Sequence, residues 1–192
     1  MSDQNQIHSK KLLRNFFINR RNEYFDNYKK KINAHTHINL ILENTDPCLI
    51  GSYLPFRNEF PTNKIHEELI KSKFEIALPC INNQDSSMIF RKFTSNDDLI
   101  SNNYGILEPS KSSKEVSPLI LLVPLLAFSL TGFRLGYGGG YYDRYIEKNL
   151  SNKNFLTIGL GFSFQKYSEI PRENHDQKLN WILTEKYLYN VE

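Results

Sequence analysis

Leu119 to Val123 is an unbroken apolar run, Leu-Ile-Leu-Leu-Val, closed by Pro124. A strand that is apolar on both faces has to be covered on both, which is the position of an interior strand in a parallel sheet with helices above and below. The wider stretch Pro118 to Leu130 is well short of the ~20 residues that a membrane-spanning helix needs, and Pro124 and Ser129 interrupt it. This strand therefore predicts an α/β core and no membrane span.

The rest of the chain supplies partners for it. Cys48 to Tyr53 reads as a buried strand ending at Pro55, Thr62 as the cap of a helix through Lys71, and Glu75–Leu78 and Met88–Phe93 as short strands. A helix from about Tyr141 to Lys148, a strand at Leu156–Leu160 and a last strand at Trp181–Thr184 follow. His8 to about Lys31 carries Leu12, Leu13, Phe16, Phe17, Tyr24, Phe25 and Tyr28 at helical spacing and predicts an amphipathic N-terminal helix. Asn96 to Lys114, rich in Asn and Ser, reads as loop. The alternation predicts a three-layer α/β/α sandwich around a Rossmann-like open sheet, mostly parallel. At 192 residues and 40% hydrophobic, the chain suits one domain spanning 1–192.

A net charge of +3 is too mild to demand a polyanionic partner and is compatible with an anionic small molecule. Cys48 and Cys80 sit in apolar surroundings without metal-ligand spacing and read as reduced buried thiols. The N-terminus lacks a signal-peptide core, so the expected location is the cytoplasm.

Four of the nine glycines fall between Gly136 and Gly140, in the segment Arg134-Leu135-Gly136-Tyr137-Gly138-Gly139-Gly140-Tyr141-Tyr142-Asp143. Between a buried strand and a helix start, glycines let backbone amides approach a ligand, and the helix adds a positive dipole end. Such a loop predicts a phosphate cradle. No Lys-Ser or Lys-Thr follows it and its spacing fails the dinucleotide fingerprint, so neither a Walker loop nor an NAD site is expected. A plain flexible turn is the bland alternative.

The same segment resembles the Arg-Leu-Gly-x-Gly-x-Gly-Tyr-Tyr-Asp signature of 5-formyltetrahydrofolate cyclo-ligases, also called 5,10-methenyltetrahydrofolate synthetases. Further segments agree in order: Lys10 with Arg14, Tyr53-Leu54-Pro55 followed by Glu59, Glu108-Pro109, Val123-Pro124 with Ala127-Phe128, and His175-Asp176 with Leu179 and Thr184-Glu185. In that family ATP phosphorylates the formyl oxygen of 5-formyltetrahydrofolate, nitrogen 10 closes the ring, and phosphate departs. The resemblance implies ATP as co-substrate, Mg²⁺ as cofactor, and small-molecule partners without nucleic acid or membrane.

It also implies roles. Lys10, Arg14, Arg134, Leu135, Gly136, Tyr137, Gly138, Gly139, Gly140, Tyr141 and Tyr142 would bind ATP, and Leu54, Glu59 and Tyr137 to Tyr141 would bind the folate. Glu59, Arg134 and Tyr141 would act in catalysis, and Asp143 and Asp176 would hold Mg²⁺. The enzyme is expected to be a monomer. The family's loop often carries Lys or Arg between its glycines, where this chain has Tyr137 and Gly139.

From position alone, Lys10 and Arg14 read as a solvated basic face, Asp176 as a turn cap and Glu59 as an exposed loop residue. His35 and His37 lack a third nearby metal ligand, and no serine sits in a nucleophile elbow. Two rivals remain: an RNA-binding module built on Lys10, Lys11, Arg14, Arg20, Arg21 and Lys29–Lys31, and a folate-binding protein without catalysis.

Overall fold

The computed structural model describes residues 3–28, 38–82 and 87–191. The His35 and His37 pair and Lys29 to Lys31 lie outside them. Four helices are described, α1 (Asp3–Tyr28), α2 (Ile38–Leu42), α3 (Asn63–Lys71) and α4 (Tyr141–Asn149). An eight-stranded sheet combines β1 (Leu49–Gly51), β2 (Glu75–Asn82), β3 (Ser87–Phe93), β6 (Glu115–Val116), β7 (Ile120–Pro124), β10 (Leu156–Leu160), β11 (Trp181–Leu183) and β12 (Leu188–Asn190). Its order is β12-β11-β10-β7-β1-β2-β3-β6. The central five strands, β11 to β2, run parallel, and each edge is antiparallel.

The apolar run behaves as its composition requires. Alternate residues of β7 enter two cores: Ile120 and Leu122 meet α2 and α3 residues such as Leu42 and Leu69, while Leu121 and Val123 meet Ile146 of α4. Sheet and helices thus form three layers, and the fold expectation holds. β2 runs on beyond the expected Leu78 to Asn82, and Pro79 is tolerated because pairing with β1 stops at Ala77.

Other local readings change. Thr62 occupies the α3 cap position, but its hydroxyl donates to the Tyr53 carbonyl (2.8 Å) instead of closing the helix, tying the helix start to the segment after β1. The polar 96–114 stretch folds into a hairpin of β4 (Leu99–Ser101) and β5 (Leu107–Pro109). A second hairpin, β8 (Ala127–Phe128) and β9 (Arg134–Leu135), leads from β7 into the glycines, and β12 follows the strand that was expected to be last.

The N-terminal helix forms, with a different inner face. Leu12 is 58% and Phe16 51% exposed, whereas Lys10, Phe17 and Arg21 are buried. Phe17 packs with Leu126, Leu135 and Ile170, and Tyr24 and Phe25 dock on Phe162 at ring-centroid distances of 5.0 and 5.7 Å. The aromatics anchor the helix, and Lys10 and Arg21 are carried inward with them, while Lys11 and Arg20 stay exposed.

Candidate active site

In the parallel block the chain leaves β1 toward β2 on one side, whereas β7, β10 and β11 extend from β1 on the other. The adjacent C-terminal ends of β1 and β7 are therefore a topological switch point, where open α/β sheets bind ligands. A cavity of about 420 Å³ lies there, lined by Tyr53 and Leu54 after β1 and by Pro124 at the end of β7. Every site residue expected from the sequence lines it: Lys10, Arg14, Leu54, Glu59, the whole segment Arg134 to Asp143, and Asp176.

The glycine loop is held by cations from two helices. Arg14 Nε donates to the Gly136 carbonyl at 2.9 Å, and Arg144 Nη2 to that of Gly139 at 3.0 Å. Gly138 has φ 103°, and a side-chain carbon there would sit 3.2 Å from the Arg14 guanidinium carbon. Only glycine combines that conformation with that approach. Gly140, at φ 64°, opens α4, whose first turn carries Asp143 and faces its positive dipole end to the loop. Tyr141 folds back over Gly139, beneath the Arg144 guanidinium at 5.1 Å, and shares a side-chain hydrogen bond with Tyr104.

Two cations, Arg134 and Lys10, fix the carboxylates. Arg134 Nη2 donates to Asp143 Oδ1 at 2.9 Å, and the Gln177 amide donates to the same oxygen at 3.0 Å. Lys10 Nζ lies 2.6 Å from Asp176 Oδ2 and 3.2 Å from Glu173 Oε2. Glu173, His175 and Asp176 present ligand atoms within 4.8 Å of one another, and Asp143 joins this loop through Gln177. Hard carboxylate oxygens of this kind, beside a cradle for anions, suit a Mg²⁺ ion that keeps several waters.

Glu59 is buried, its Oε2 accepting the Phe56 amide at 2.9 Å, and burial pushes its carboxyl up to about 7. The tight turn that delivers it holds Arg57 and Asn58 at φ 49° and 60°, a left-handed conformation that costs energy for residues with a side chain. A carboxyl poised near neutrality inside a cavity is suited to taking up and releasing a proton. The Tyr142 hydroxyl is pushed upward by burial and stays neutral.

Several lining residues carried no sequence signal. Asn102, Tyr104, Ile106 and Leu107 reach the cavity from the β4–β5 hairpin, in which Leu99 to Ser101 pair with Leu107 to Pro109. Glu173 had the acidic spacing to Asp176 that flags a shared metal loop, and Phe56 and Arg57 stand between two expected positions.

The model of the 5-formyltetrahydrofolate cyclo-ligase family matches residues 6–185. The 5-formyltetrahydrofolate cyclo-ligase of Haemophilus influenzae is 32% identical over 148 residues, 74% of this chain and 79% of that one. That of Escherichia coli K12 is 29% identical over 140 residues, covering 70% and 76%. Among solved structures, the Aquifex aeolicus 5,10-methenyltetrahydrofolate synthetase superposes with a TM-score of 0.74 at 25% identity, covering 95% of this chain and 93% of that one. A Mycoplasma pneumoniae synthetase structure, at 22% identity and a TM-score of 0.68, shares the fold. With the family model covering nearly its full length, this chain belongs to the 5-formyltetrahydrofolate cyclo-ligase family.

Proposed function

We propose that the chain converts 5-formyltetrahydrofolate and ATP to 5,10-methenyltetrahydrofolate, ADP and phosphate. The observation that carries this reading is the single cavity in which a cation-ringed glycine loop, a buried glutamate near neutrality and two carboxylates converge. Phosphoryl transfer is chiefly positioning and charge neutralisation, and these parts supply both.

Lys10, Arg14 and Arg134 receive the phosphates, with the amides of Gly136 to Gly140 and the α4 N-terminus lining the cradle. The formyl oxygen takes the γ-phosphoryl group and ADP is released. Nitrogen 10 then attacks the activated formyl carbon, the carbon–oxygen bond breaks, phosphate leaves, and Glu59 takes the nitrogen proton. Leu54 and the Tyr137–Tyr141 stretch hold the pterin, with Tyr141 over the loop. Asp143 and Asp176 would hold Mg²⁺, which when bound neutralises phosphate charge.

Residues 1–192 act as one domain, as a monomer in the cytoplasm, on small molecules and without nucleic acid or membrane. No helix among the described residues is long and apolar enough to cross a membrane. The RNA-binding alternative loses support because Lys10 and Arg21 are buried. A folate binder without catalysis would have no use for the paired carboxylates.

The test is the near-ultraviolet absorbance of the protein with 5-formyltetrahydrofolate, ATP and Mg²⁺, omitting each in turn. The methenyl chromophore should grow only in the complete mixture. A flat trace from folded protein would overturn the reading.

A further inference from the structure

Arg21 reaches from α1 to the back of the cavity wall and is 1% exposed. Its guanidinium keeps its charge when buried, and a buried charge is costly unless fully hydrogen-bonded. Nη2 donates to the Arg57 carbonyl at 2.7 Å and to the Tyr137 hydroxyl, and the guanidinium carbon lies 5.5 Å from the centre of the Tyr137 ring. Nε and Nη1 are buried with no acceptor among the described residues. This cation therefore ties the turn that carries Glu59 to the glycine loop, while part of its hydrogen-bonding capacity is unspent.

The groups acting on Glu59 show what the charge is for. Arg21 faces it from α1, Tyr53 from the segment after β1, Tyr137 from the glycine loop and Tyr142 from α4. All three phenols are pushed upward by burial and remain neutral. Attraction to Arg21, together with the Phe56 amide, opposes the burial that disfavours the Glu59 carboxylate.

We propose that Arg21 is a positioning residue for proton transfer by Glu59: its buried guanidinium clamps the 56–59 turn to Tyr137 and supplies the fixed positive charge against which the Glu59 carboxylate forms. This rests on the assignment of Glu59 to the ring-closing proton transfer. Arg21 is not among the residues that line the cavity and acts through Glu59.

The experiment is the pH dependence of kcat/KM for 5-formyltetrahydrofolate in the wild type, Arg21→Met, Arg21→Lys and Glu59→Gln, with ¹³C NMR titration of the Glu59 carboxyl in the first three. Arg21→Met should move the acid limb up by about one pH unit, a loss of about fivefold near pH 7 that approaches tenfold below about pH 6. Activity should return above pH 8.5 and KM for ATP should stay within about twofold. Arg21→Lys should bring the limb back toward the wild-type position. The carboxyl midpoint should move with the limb, whatever the turnover. An unmoved midpoint in Arg21→Met, or a loss equal at every pH, overturns the role of Arg21. Full turnover by Glu59→Gln overturns instead the assignment of Glu59, and leaves the NMR midpoints to judge Arg21 by themselves.

Discussion

Arg134 and Asp143 meet across the glycine loop, Nη2 to Oδ1 at 2.9 Å, and the Gln177 amide donates to the same carboxylate oxygen at 3.0 Å. The strand entering the loop and the helix leaving it are thereby clasped together, and the clasp is fastened to the segment that carries Asp176. A backbone rich in glycine gains a fixed shape from side chains outside its glycines.

That clasp predicts the behaviour of Asp143→Asn. The variant keeps an oxygen for Arg134 and loses the charge needed to hold a divalent cation. Turnover should fall by about two orders of magnitude or more, while folate affinity stays within about threefold. Rate assays paired with a folate-binding titration read the two effects separately, and near-wild-type turnover would remove Asp143 from the metal assignment.

Lys10 is 95% buried against Asp176 and Glu173, so Lys10→Ala leaves two carboxylates facing each other without their ammonium. Breaking a buried pair from one side costs about 3–5 kcal/mol. The unliganded protein should denature at correspondingly lower urea, and KM for ATP should rise about tenfold or more while that for the folate barely moves. Equal rises in both would point to a distorted fold and away from nucleotide binding.

Glu59→Gln should sacrifice activity and gain stability, with a defined pH window. Burial raises the native carboxyl from 4.5 to about 7. The native state therefore holds the proton more tightly, a contribution complete below pH 4.5 and lost as pH rises through 7. At pH 8 the variant should exceed the wild type by up to about 3 kcal/mol, and at pH 4 the two should match. Denaturant titrations at both values decide it; a gain independent of pH would mean that burial does not perturb Glu59.

His66 gives the opposite slope. Its Nε2 lies 2.6 Å from Ser52 Oγ inside the α3 contact, and burial lowers the imidazole from 6.5 to about 4. The unfolded chain takes up the proton first, so stability is full above pH 6.5 and falls as pH drops toward 4. Between pH 7.5 and 5 the wild type should lose roughly 2 kcal/mol from this group. His66→Gln should not show that loss. An identical decline in both proteins would assign the acid sensitivity elsewhere.

The sequence was readable where chemistry and local pattern coincide. The all-apolar Leu119–Val123 run specified an interior strand, and Gly136 to Gly140 specified a close-approach loop opening a helix, because each demands its surroundings directly. The inner face of α1 was not readable. Periodicity seeks apolar positions and placed Leu12 and Phe16 inward, whereas burial there belongs to Lys10 and Arg21, whose partners lie far along the chain. The β4–β5 hairpin was hidden for another reason: its strands are three residues each, too short for a period-two pattern to stand out in an Asn- and Ser-rich stretch. The partners of Lys10 and Arg21, 166 and 36 residues away, leave no local trace.

The ion pair between Lys10 and Asp176 joins positions 166 residues apart. A ribosome makes the chain from its N-terminus, so Lys10 emerges 166 residues ahead of the carboxylate that pairs with it. Ligand binding, which stabilises only the finished fold, then rewards complete molecules alone. A product that stopped short of Glu173 would leave Lys10 without either of its carboxylate partners.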